Sequence, residues 1–140
     1  MKALPIILEP KSRSFLDLGI NYTGEVRTSL HLLFTSFANK EEALLTLRTL
    51  LKERLIACGT LLPSAYSLYV WKDQLEETAE VVVFLKTSTP LLNQCMERLK
   101  ELHPYEVPEI IALEAAALDS DYGNWLKQVL SGSNFSSFAT

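Results

Sequence analysis

Two extended runs, Thr60–Trp71 and Glu76–Thr87, constrain this chain more than any other feature. Each holds about twelve residues, roughly twice the usual strand. The four residues Lys72-Asp73-Gln74-Leu75 separate them, so a hairpin is the economical connection. Tyr66, Leu68 and Val70 alternate with Ser67, Tyr69 and Trp71, a period of two in β-favouring residues. Val81–Leu85 is apolar on both faces, which places it centrally in a sheet. The other strand-length runs, Leu30–Thr35 and Ile110–Ala115, are short, so part of the ribbon overhangs. An overhang bearing Tyr66, Leu68, Tyr69 and Trp71 is a sticky edge in a monomer, and pairing with another copy resolves it.

Helical signals separate these strands. Asn39 with Glu42 three residues on reads as a capping box. Leu44, Leu47, Leu51 and Leu55 then recur at helical spacing until Gly59. Thr89-Pro90 opens a second helix, with Thr89 as cap, an apolar stripe of Leu91, Cys95, Leu99 and Leu102, and Pro104 as its stop. Asp119–Leu130 is a third, with Asp119 or Ser120 as cap and Tyr122, Trp125, Leu126 and Val129 on one side. The order β-α-β-β-α-β plus a terminal helix is the α+β, ferredoxin-like plan. Right-handed crossovers then put both main helices on one face of a four-stranded antiparallel sheet.

The chain's 140 residues suit one domain. We divide it into an N-terminal extension at 1–29, a domain at 30–131 and a flexible tail at 132–140. The extension carries Pro5, Pro10, Gly19 and Gly24 without a sustained period, and four basic against three acidic residues. With 48% apolar residues the chain is no disordered polymer. Its net charge of −4 and lack of a Lys/Arg-rich run argue against a nucleic-acid partner. Its longest apolar stretches fall far short of the roughly 20 residues that span a bilayer. Ala3–Leu8, broken by Pro5, is too short for a secretory leader. Two cysteines make no disulfide framework. The expectation is a cytoplasmic protein in a reducing compartment.

Sites of chemistry are few. There is no Gly-rich phosphate loop, Ser nucleophile elbow, HExxH or CxxC. The histidines are His31, read as a surface or edge residue, and His103. Leu102–Glu109 is the densest local signal, with Pro104 and Pro108 holding it extended between a helix and a strand. It reads equally as a rigid connector or a binding loop. Cys58, at a strand entry, is either a small buried residue or a thiolate ligand for a soft metal such as Cu(I). Cys95 sits on an apolar stripe and reads as packing. Cys58 with His103 as nucleophile and base lacks an orienting third group. Glu80 shares a strand face with Val82, Phe84 and Lys86, which suits a polar cleft or a surface ion pair. The ribbon Tyr66–Trp71 reads as an oligomer contact ahead of a ligand pocket.

Several segments in order resemble the CutA divalent-cation tolerance family: Leu55-Ile56-Ala57-Cys58-Gly59-Thr60-Leu61-Leu62-Pro63, Ser67-Leu68-Tyr69-Val70-Trp71, Leu85-Lys86-Thr87, His103-Pro104-Tyr105 with Pro108-Glu109, and Asp121-Tyr122 with Trp125-Leu126. The resemblance spans about Leu30 to Leu130. It implies a ferredoxin-like protomer in a homotrimer similar in build to the PII signalling proteins, a link to copper and other divalent ions, no reaction and no obligatory cofactor. Carried over by position, Cys58 and His103 are the implied metal ligands, while Trp71, Glu80, Lys86 and Tyr105 line the implied inter-subunit cleft. Departures stand at Phe34 and Arg98, where some bacterial relatives have cysteine, and at Leu102-His103, where they have two histidines. The alternative is a PII-like regulatory or scaffolding trimer. Its cleft would hold a small anion, drawn by Lys86 and shaped by Trp71 and Tyr105.

Overall fold

The computed structural model of the chain describes residues 30–132; the proposed extension, and the tail beyond Gly132, lie outside them. Strands β1 (Leu30–Phe37), β2 (Cys58–Trp71), β3 (Gln74–Ser88) and β4 (Ile111–Glu114) form one sheet in the order β2-β3-β1-β4, with every pairing antiparallel. Helix α1 (Lys40–Lys52) follows β1, α2 (Leu92–Leu102) follows β3, and α3 (Ser120–Ser131) closes the described chain.

Local chemistry sets the ends of these elements. Asn39 is extended and its side-chain oxygen accepts from the Glu42 amide at 2.9 Å, as the capping signal predicts. Asp119 caps α3 through the Tyr122 amide at 3.0 Å, and Gly132 ends it at φ 83°, where a side chain is strained. The start of α2 differs from expectation. Thr89–Leu91 form a 3₁₀ turn with Pro90 inside it, Ser88 stands at its N-cap, and no side-chain cap forms. His103 stops α2 with ψ near 132°, the extended setting that a following proline imposes.

The hairpin is tighter than the sequence suggests. Trp71 pairs with Gln74, so Lys72-Asp73 alone make the turn, at φ 51° and 65°. Two positive φ values are what a turn matching the strands' right-handed twist requires. A second irregularity lies at Pro63-Ser64. Leu62 pairs with Val82 and Ala65 with Glu80, so two β2 residues oppose one on β3, with Ser64 at φ 64°. This bulge exchanges the faces of β2: before it Cys58, Thr60 and Leu62 share a face with Lys86, Phe84 and Val82, and beyond it Ser67, Tyr69 and Trp71 join Glu80 and Thr78.

The sheet has one well-covered face. Leu33 and Phe37 of β1 and Val81, Val83 and Leu85 of β3 pack against Ala43, Leu47 and Leu50 of α1 and Cys95 and Leu99 of α2. Desolvation there pushes the Cys95 thiol up to about 12, so it is an inert packing residue, as expected. The opposite face is covered at its Leu30 end, where Leu126 of α3 is buried with Leu30 and Ala57. Beyond α3 it is apolar and open: Leu32, Phe34, Val82 and Phe84 are half-buried. Leu62, Ile111 and Leu113 beside them are 48%, 46% and 55% exposed.

Candidate functional site

The hairpin beyond the bulge curls toward the loop after α2, and between them lies a cleft of about 820 Å³. Trp71, Tyr69, Ser67, Thr78 and Glu80 come from the hairpin, Ser36 and Ala38 from the end of β1, and Tyr105–Glu109 from the loop. Three of these residues, Glu80, Glu106 and Glu109, are carboxylates, and among the described residues no lysine or arginine lines the cleft.

A closed ring of hydrogen bonds supports one wall. His103 Nε2 donates to the Ser36 carbonyl at 2.8 Å, and the Tyr105 amide donates to His103 Nδ1 at 3.2 Å. Because an amide can only donate and a carbonyl can only accept, His103 is neutral and protonated on Nε2. The Tyr105 hydroxyl donates to Glu80 Oε2 at 2.6 Å, and the Ser36 hydroxyl reaches the same oxygen at 3.2 Å. His103 is 7% exposed and lies flat on Phe37, with ring centroids 4.3 Å apart and planes 11° off parallel. Burial holds its pKa below the usual imidazole value, although the bond to Ser36 and the carboxylates of Glu42 and Glu80 pull the other way. Tyr105 is pushed upward by burial first and by its bond to Glu80 second, so it stays a neutral donor.

Cys58 stands elsewhere. It pairs across the sheet with Lys86, whose ammonium lies 3.5 Å from the thiol sulfur and 3.0 Å from the Thr60 hydroxyl. Burial first, and the neighbouring Cys58 thiol second, hold the Tyr122 hydroxyl above its usual pKa. The register sets Cys58 level with Leu32 and His103 bonds to Ser36, four positions along β1, or about 13 Å.

Of the implied cleft residues, Tyr105 meets Glu80 through a hydrogen bond, Trp71 lines the far end of the same cleft opposite Gln74, and the one outside this lining within the protomer is Lys86. It lies six positions along β3 from Glu80, about 20 Å away. The metal pair is likewise apart within one protomer: Cys58 is on the partly open face, and both ring nitrogens of His103 are engaged. Among the described residues no three His, Cys, Asp or Glu side chains come together to chelate a metal. Reasoning from sequence missed Ser36 as a cleft residue and read Tyr69, within the Tyr66–Trp71 ribbon, as an oligomer contact ahead of a ligand pocket. Pro63 inside a strand run was the available signal for Tyr69, since proline there marks an edge or a bulge. The loop at 103–109 connects α2 to β4, and its residues 105–109 also line the cleft.

Fold and site together define a small α+β protein whose antiparallel sheet is covered on one face and largely open on the other, with an acidic, aromatic cleft under a long hairpin. The family described as CutA1 divalent ion tolerance protein matches residues 31–129. The chain belongs to the CutA family. It is 43% identical over 95 residues to the divalent-cation tolerance protein CutA of Pyrococcus horikoshii, covering 68% of this chain and 92% of that one. It is 36% identical over 107 residues to the mouse protein CutA, covering 76% and 60% respectively. The crystal structure of CutA from Xylella fastidiosa aligns with a TM-score of 0.71 at 34% identity, over 74% of this chain and 99% of that one.

Proposed function

We propose that this chain works as a homotrimer of ferredoxin-like protomers that binds divalent ions, copper among them, in metal tolerance, without catalysing a reaction. The observation that carries the choice of ligand is the cleft lining: among the described residues it holds three carboxylates and no basic side chain, which attracts a cation and repels an anion. Within one protomer Lys86 stands with Cys58 and Thr60, outside this lining, which weighs against the anion-binding alternative. The strand order β2-β3-β1-β4 with both crossover helices on one face supports the ferredoxin-like description.

Assembly follows from the open sheet face. Leu62, Ile111 and Leu113 beside Phe34 and Phe84 make a contiguous apolar surface of the kind that subunit contacts cover. Cys58 and His103 are then separate ligand positions. A soft ion at Cys58 draws its remaining donors from another subunit, and His103 becomes a ligand only by giving up the Ser36 or Tyr105 bond. We read residues 30–131 as the functional domain, 1–29 as an extension and 132–140 as a tail. A reducing, cytoplasmic setting suits the two free thiols. No helix among the described residues is long and apolar enough to cross a membrane.

Calorimetric titration of the reduced protein with copper and zinc ions tests the reading, comparing wild type with Glu80→Gln and Cys58→Ala. Saturable binding, weakened by at least one substitution and reversed by a chelator, is the expected result. Unchanged affinity in both variants overturns the placement, and absence of binding overturns the function.

A further inference from the structure

Lys86 stands outside the acidic cleft and beside a thiol. On the register of β2 and β3 it is directly opposite Cys58, a cross-strand pair whose Cβ atoms lie roughly 5 Å apart. Its ammonium donates to the Thr60 hydroxyl at 3.0 Å and lies 3.5 Å from the Cys58 sulfur. Thr60 shares the strand face of Cys58, two residues on, so its hydroxyl holds the end of a flexible side chain against the sulfur. No carboxylate among the described residues forms an ion pair with this ammonium. The lysine is thus committed to a thiol and a hydroxyl in place of a surface charge pair.

The two cysteines have opposite surroundings. Cys95 is fully buried under α2, on the sheet face of Val83 and Leu85. Cys58 is half-buried on the other face, with Phe84 and Val82, where a small solute can reach it. A partly exposed sulfur with a cationic neighbour is the setting in which cysteines react with oxidants. A sulfenic acid formed there condenses with a thiol or a nitrogen close by. The chain has two cysteines and the sheet lies between them, so no disulfide closes within the protomer. The amine held against the sulfur is that of Lys86.

We propose that Cys58 and Lys86 are joined by oxidation into a sulfenamide cross-link, with a hydroperoxide as the oxidant. In the first step the Cys58 sulfur attacks one peroxide oxygen. The S–O bond forms, the O–O bond breaks, and the thiol proton leaves with the departing oxygen; sulfur is oxidised to the sulfenic acid and the peroxide is reduced. In the second step the Lys86 ammonium passes one proton to the sulfenic hydroxyl, and its freed lone pair attacks sulfur. The S–N bond forms, the S–O bond breaks, water departs, and a further proton passes from nitrogen to solvent. The link staples β2 to β3 and consumes the thiol. It stands independently of the metal reading, and where an ion binds Cys58 the cross-link takes that ligand away.

Treating the reduced, full-length, assembled protein with hydrogen peroxide in chelator tests it, read by intact mass and by peptide mapping without thiol reductant. The expected product is a chain about 2 Da lighter, with the Cys58 and Lys86 peptides joined and then parted by dithiothreitol. Lys86→Arg keeps the charge but offers no nucleophilic amine, so its sulfenic acid should persist and be captured by dimedone roughly tenfold more than in wild type. If that variant fails to fold, the wild-type peptide map still decides. A wild-type map without the Cys58–Lys86 link, a disulfide between subunits as the main product, or dimedone capture equal in the two proteins overturns the inference. Because chelator is present throughout, neither result bears on the metal titration.

Discussion

Replacing His103 separates a structural histidine from a metal ligand. A ligand contributes little to stability when no metal is present, whereas the structure gives His103 a fixed role in the protein itself. His103→Ala leaves the Ser36 carbonyl without its donor, at about 1–3 kcal/mol for an unpaired buried group. It also removes the stack on Phe37, about 0.5–1.5 kcal/mol beyond area burial, and opens a cavity where an aromatic ring was packed. Together these effects give a loss of about 3–5 kcal/mol in metal-free protein. His103→Phe keeps a ring against Phe37 but neither polar bond, and its expected loss is about 1–3 kcal/mol. Urea unfolding in chelator, at one fixed protein concentration because the proposed assembly would be coupled to stability, reads both. A loss below about 1 kcal/mol in His103→Ala would refute the hydrogen-bond ring as a support of the cleft wall.

The same residue gives a pH dependence. Its folded pKa is depressed by burial, so the unfolded chain binds the proton more readily. Stability is therefore full above the unfolded value of about 6.5 and declines as pH falls through it, by at most about 1.4 kcal/mol per pH unit. Urea midpoints at pH 7.5 and 5.5 should show this fall in wild type and a smaller one in His103→Phe. Replacing Lys72-Asp73 by Asn-Gly suits the two positive φ values and should raise stability by about 1 kcal/mol, seen as a higher melting temperature. Gly59→Ala should cost about 1–3 kcal/mol, because a Cβ there overlaps Leu47, a core residue with little room to move. Phe84→Glu places a charge in the open sheet face and should reduce the assembly to smaller species on size-exclusion chromatography without unfolding the protomer.

What could be read in the sequence was whatever short-range chemistry decides. Asn39 with Glu42, Asp119 before α3 and Pro104 after His103 act within a few residues of themselves, so the element ends they set were legible. Val81–Leu85 announced a central strand because burial on both faces leaves no polar alternation. The turn was drawn too long because Lys72-Asp73 lacks the Asn-Gly signature of its backbone class. The bulge matters more for the site. One inserted residue at Pro63-Ser64 reverses the parity of everything beyond it, so period-two reasoning from Cys58 onward assigns Tyr69 and Trp71 to the wrong face.

Side-chain partnerships across long sequence separations were not legible at all. Tyr105 and Glu80 meet because β3 and the loop after α2 close around Ser36, and no local pattern encodes that distance. Lys86 and Glu80 share a strand face, yet the long strand sets them six positions apart, Glu80 at its middle and Lys86 near its end. The pairing of Cys58 with Lys86, and of His103 with Ser36, likewise depends on which strands become neighbours. Of the residues that the family resemblance implies for a cleft, Trp71, Glu80 and Tyr105 line the cleft of this protomer and Lys86 stands with Cys58.

Native mass spectrometry of the reduced full-length protein, sprayed with and without copper ions, reads assembly and ion binding in one spectrum. The account predicts a species of three chains, each near 15.8 kDa, that takes up copper to a fixed stoichiometry and releases it to a chelator. A stable monomer, or a trimer that retains no copper ion, contradicts it.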